Sequence, residues 1–245
     1  MVAAREHHRT NGSKPFNFIL TTWGQDLGRS RTRSAKTSAI TKHPELSNVL
    51  IRLMLSVNDI ALASDANDEW ASTTVQPRVY RKAAARMYFI RVLMGHVYEG
   101  LTIIEHISRV TALKAAVDRC DARTVAAYQA LDTFIRSPEM KTLDRFRNRA
   151  AFHYDRQLPE RHLREIAQHS PDAIWSYSMG SEPLDWRFEL ADAVMDRIVI
   201  REVFGLKEPR GPERTRKTEA IATRIQDISM LFTNFAAHFV WHHSN

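Results

Sequence analysis

Residues 87–107, MYFIRVLMGHVYEGLTIIEHI, decide the fold. Met87, Ile90, Met94, Val97, Leu101 and Ile104 recur at alternating steps of three and four, and Ile107 extends the stripe by three more. That period is one face of an α-helix. A second apolar set, Phe89, Val92, Leu93 and Ile103, widens the stripe. A helix with so broad an apolar surface is expected at the centre of a bundle, covered on more than one side. Its expected span is Arg78 to Asp118.

Working outward, Leu46, Val49, Leu50, Leu53, Val57 and Ile60 predict an amphipathic helix from Pro44 to about Ala63, followed by SDANDEWAST (64–73) as a polar connection. On the other side, helices are expected over Ala122–Phe134, from Pro138 onward with Ser137 as N-cap, and over Pro159–His169. After an irregular WSYSMGSEPLDW (175–186), a helix over Trp186–Phe204 should stop at Gly205. Beyond KEPRGPER (207–214), read as a polar break, Ile221, Ile225, Ile228, Phe232, Phe235 and Phe239 mark the last helix. No repeat of fixed period occurs. Glycine and proline together number only 17 of 245 residues, which disfavours a fold of many tight turns. The expectation is an all-α bundle of five to seven helices over residues 44–245, with C-terminal helices in 186–243.

Residues 1–43 differ in kind. Eight Lys/Arg stand there against Glu6 and Asp26, so six of the net +7 lie in this arm. Arg29, Arg31, Arg33 and Lys36 are its candidate phosphate contacts, binding nucleic acid by counterion release. One apolar island, FNFILTTW (16–23), is read as a short strand or a docking segment, and residues 28–43 as a linker. The single cysteine, Cys120, excludes an internal disulfide framework and a multi-cysteine zinc cluster. No apolar h-region opens the chain and its uninterrupted apolar runs are short, so a cytoplasmic protein without a membrane partner is expected.

Nucleotide-loop, zincin and nucleophile-elbow motifs are absent from the sequence. His238 and His242 share a helix face, but no cysteine or carboxylate lies near them in sequence, and no metal or other cofactor is expected. The segment RFRNRAAFHYDRQ (145–157) is different. Its Arg147-Asn148 followed by His153 resembles the R-x(4–6)-H motif of HEPN-superfamily ribonucleases. Spacing alone carries nothing: four Arg/His pairs match it (91/96, 147/153, 156/162 and 164/169), about what chance predicts for this composition. Only Arg147 is directly followed by the asparagine the family favours. The wider string is similar to the (I/L)RNxxAFHYD signature of a group of helical proteins, with Phe146 replacing the aliphatic first residue. That group carries an H-x-Y-E segment on a preceding long helix, and His96-Val97-Tyr98-Glu99 looks similar. The resemblance covers about residues 80–157.

The resemblance implies a homodimeric, metal-independent endoribonuclease of a defence or toxin setting, acting on RNA and held by an antitoxin or defence partner. His153 would move the proton, since imidazole titrates near neutrality, and Arg147 would meet the developing phosphorane charge. Asn148 would orient phosphate or ribose, with Tyr154 and Glu99 in support. On an ideal α-helix Arg147 and His153 lie ~9 Å apart along the axis and ~120° apart in azimuth. One chain then supplies two half-faces, and a composite site needs a second copy. The same residues also suit a structural helix in a non-enzymatic scaffold, with nucleic acid bound through the basic arm.

Overall fold

The computed structural model describes residues 34, 37–41, 43–75, 78–148, 157–181, 187–207 and 211–244. Residues 1–34 separate from 35–245 as a unit of their own. The expectations for the arm, including Arg29, Arg31, Arg33, Lys36 and the 16–23 island, lie outside the described residues. So do His153 and Tyr154.

The described chain is all-α. A single turn, α1 (Thr37–Ile40), precedes α2 (Pro44–Ser72), α3 (Arg78–Arg109), α4 (Thr111–Asp118), α5 (Ala122–Ile135), α6 (Pro138–Phe146), α7 (Leu158–His169), α8 (Glu189–Ile198) and α9 (Pro212–His243). A π-helical segment, Val199–Val203, continues α8 until Gly205 ends it at φ +68°. Among the described residues the β structure is one two-residue antiparallel ladder, Tyr177 against Phe188 and Ser178 against Arg187.

The stripe that opened the sequence reading is the core. Met94, Val97, Leu101, Ile104 and Ile107 are fully buried, and Met87 and Ile90 pack against them. α2 runs antiparallel to α3, for Glu45 faces His106 (3.9 Å) and Asp59 faces His96 (3.5 Å). α9 closes the bundle against α2, α3 and α5, burying Ile228, Phe232, Phe235, Ala236 and Phe239. Phe235 stacks on Phe239 at 5.4 Å between centroids and tilts against Tyr128 at 5.8 Å. Each such side chain contributes roughly 1.5–3 kcal/mol by leaving water.

Three boundaries differ from expectation. α2 runs nine residues past Ala63, to Ser72, because SDANDEWAS holds no glycine or proline and the Ser72 hydroxyl bonds back to the Asp68 carbonyl at 2.9 Å. The long central helix breaks at Val110, whose backbone is extended (φ −110°, ψ 111°), so that α4 turns Leu113, Ala116 and Val117 into the core. α9 begins at Pro212, inside the 207–214 stretch read as a polar break, with Gly211 preceding a proline at the first helical position.

α2 also qualifies the expectation drawn from short apolar runs. With a mean hydropathy of 1.4 over its most apolar 18-residue window, it is long and apolar enough to cross a membrane by length and composition. Its Val49, Leu50, Leu53, Ile60 and Ala63 are nonetheless buried in the bundle core. Ile51, Leu55 and Leu62 stay exposed on another face.

At the α4–α5 corner, Asp121 caps α5 by accepting from the Thr124 backbone N–H (3.0 Å) and hydroxyl (2.9 Å). Those two donors, the backbone one first, hold its carboxyl below the usual carboxylate range. A lowered folded value means the cap's contribution is present above the unfolded value near 4 and is lost as pH falls through the folded one. Asp121→Ala is therefore expected to cost about 1 kcal/mol at pH 7 and progressively less as pH falls below the unfolded value near 4, read from urea melts across that range. A cost that rises as pH falls would refute the charged cap.

Candidate functional site

Tyr98 and Glu99 lie one turn from Met94 on α3, and the buried Val97 and Leu101 around them fix that stretch of helix. Opposite stands the end of α6, seated in the core by Leu143 and Phe146. The sequence predicted one helix running on from Pro138 through His153. The α-helical part, α6, ends at Phe146, helical backbone continues as a π-type turn through Arg147 and Asn148, and the expected remainder to His153 lies outside the described residues. A wider turn re-aims side chains, which is why such turns concentrate at functional sites.

Here five side chains from two distant stretches join into one chain of hydrogen bonds, with Glu99 at one end and Tyr98 at the other. Arg147 Nε donates to Glu99 Oε1 at 3.1 Å, and its Nη1 donates to Asn148 Oδ1 at 3.1 Å. Asn148 Nδ2 donates to Asp144 Oδ1 at 3.1 Å, and the Tyr98 hydroxyl donates to that same oxygen at 2.9 Å. Burial first, then the bond to the Asp144 carboxylate, raises the Tyr98 pKa, so this phenol stays a neutral donor. The Arg147 and Glu99 side chains are 42% and 48% exposed. An ion pair that open contributes about 0–1 kcal/mol, so it holds a guanidinium in place more than it holds the fold together.

Of the residues singled out in the sequence, the structure brings Glu99, Arg147 and Asn148 together across 48 positions of chain. Tyr98, part of the H-x-Y-E segment but given no role there, completes the group with Asp144, which the sequence did not single out. Asp144 sits four residues before Asn148, where an α-helix aligns side chains, and that spacing was the available signal. His96 turns away from this group toward Asp59 on α2.

A second polar centre lies between α7 and the π-helical segment. His162 is fully buried, with Glu165 at 3.3 Å from Nδ1 and Glu202 at 3.3 Å from Nε2. Arg201 pairs with Glu165 at 2.8 Å and Arg161 with Glu202. A cavity of about 740 Å³ opens beside it, lined by Arg161, Arg164, Glu165 and Glu202 among others. Its contact with Glu202 spans the two helical segments, while Glu165 belongs to the helix of His162 itself. A third group gathers Cys120 from the α4–α5 corner with His242 and His243 from the end of α9, their ligand atoms all within 4.8 Å of one another.

The chain matches no protein-family profile, no curated protein and no solved structure. Its site therefore rests on its own geometry.

Proposed function

We propose that this protein is a metal-independent endoribonuclease of the HEPN type, acting in the cytoplasm on RNA as a homodimer. The observation that carries the reading is the Glu99–Arg147–Asn148 group: a half-exposed guanidinium, oriented by a carboxylate and an amide, presented from a π turn. A planar cation so oriented suits the charge that grows on a phosphorane. In the reaction a ribose 2′-oxygen attacks the adjacent phosphorus and loses its proton to a base. The 5′-oxygen leaves and takes up a proton, and a 2′,3′-cyclic phosphate remains. His153, five residues beyond Asn148, is the proposed proton carrier. Tyr154 is assigned a supporting role, and an antitoxin or defence partner would restrain the activity.

The test is cleavage of single-stranded RNA by the purified full chain in EDTA. Products with 2′,3′-cyclic phosphate ends are expected from wild type and none from His153→Ala. Cleavage that needs added metal, or that survives in His153→Ala, would reject the mechanism. A second reading draws on the internal pairing of the same side chains: a helical scaffold that binds nucleic acid through residues 1–43. It expects no cleavage, and a steep salt dependence of binding that disappears when the arm is deleted.

A further inference from the structure

We propose that Cys120, His242 and His243 form a binding site for a zinc-class divalent metal. The group is assembled by tertiary structure alone, for Cys120 and His243 are 123 residues apart. Cys120 Sγ lies 3.7 Å from His243 Nε2. With zinc bonds of ~2.3 Å to sulfur and ~2.05 Å to nitrogen at a tetrahedral angle, the two ligand atoms should stand ~3.5 Å apart. The pair is already at that span. The ligand atom of His242 lies within 4.8 Å of both, so closing the triad takes about an ångström of side-chain rotation.

Two further contacts show the ligand atoms converging on one point. Cys120 Sγ (3.6 Å) and His243 Nε2 (3.1 Å) both approach the Ala116 carbonyl at the end of α4. Each thus directs a proton at the Ala116 oxygen, and both groups must turn off that oxygen for a metal to take the place of those protons. On binding, the thiol proton leaves to solvent and the imidazole proton moves from Nε2 to Nδ1. The Ala116 carbonyl keeps a partner, since the Arg119 backbone N–H reaches it at 3.3 Å. The His243 ring is held against Phe239 at 4.6 Å between centroids. A thiolate with two imidazoles selects zinc, cobalt, nickel or copper over magnesium and calcium. Three protein ligands leave a fourth position for water or another ligand. The sequence reading paired His238 with His242 and missed this group, because neither Cys120 nor the adjacent His243 lies on the face those two share.

Cobalt(II) is the probe. Full-length protein stripped with EDTA and dialysed is titrated with Co²⁺. One equivalent is expected to give a sulfur-to-cobalt charge-transfer band with the intense visible bands of a tetrahedral site, and Zn²⁺ should bleach both. Cys120→Ser should abolish the charge-transfer band, and His242→Ala should weaken binding at least tenfold, with far-ultraviolet dichroism unchanged in each. His238→Ala should bind as wild type. No charge-transfer band in the wild-type titration overturns the proposal. So does cobalt binding that Cys120→Ser leaves intact, or binding lost in His238→Ala. These readouts do not depend on RNA cleavage.

Discussion

Arg147→Ala is expected to slow RNA cleavage at least about 100-fold while moving the melting temperature by no more than a few degrees. The two halves of that expectation have separate sources. Stability changes little because the Glu99 pair is about half exposed on both sides, and open pairs contribute about 0–1 kcal/mol. Activity falls because a donor aimed at developing charge typically supplies 10²–10³ in rate. Arg147→Lys keeps the charge but loses the fork that bonds Glu99 and Asn148 together, so an intermediate rate is expected. Glu99→Gln and Arg147→Ala should be strongly non-additive in rate, as for groups that act as a unit. Full activity in Arg147→Ala would end the assignment. A large loss of stability with no activity in wild type would favour the scaffold.

The second large effect is on stability. Phe232 is fully buried between α9 and α3, with its ring against Gly100. Phe232→Ala should cost about 3–5 kcal/mol, a large part of the 5–15 kcal/mol usual for a domain. At roughly 2–4 °C per kcal/mol the melting temperature falls by about 6–20 °C. Gly100→Ala tests the same contact from the other side. A Cβ there would sit 2.6 Å from Phe232 Cζ and 2.8 Å from Cε1. Overpacking costs about 1–3 kcal/mol, against roughly 1 kcal/mol gained in helix propensity. Net destabilisation is expected in wild type. In the Phe232→Ala background the same alanine should be neutral or stabilising, because the clashing ring is gone. Additive effects in calorimetry would show that the two residues are not in contact.

Helix positions were readable where apolar period and punctuation agree. The 87–107 stripe became the buried face of α3, and Ser137-Pro138 opened α6. Where tertiary packing overrides local preference, the sequence was silent. Nothing around Val110 breaks a helix, yet the chain turns there so that Leu113 and Val117 can reach the core. The stretch 64–73 reads as a polar connection because no apolar stripe continues through it. Up to Ser72 it is the solvated continuation of α2. The candidate site was half legible: Glu99, Arg147 and Asn148 came from the family resemblance, while Tyr98 and Asp144 needed the register of α3 on α6. The Cys120–His243 meeting is set wholly by where α9 docks.

The docking of α9 also has a consequence for how the chain is made. α2 to α5 are complete by Ile135, but three of the largest core side chains, Phe232, Phe235 and Phe239, arrive only with the last helix. At about 5–20 residues per second of synthesis, roughly 5–20 s pass between the emergence of α5 and that of α9. Throughout that interval α2, α3 and α5 lack the helix that packs against them. Truncation within α9 should therefore leave that core uncovered and deliver the chain to proteolysis instead of to the folded pool.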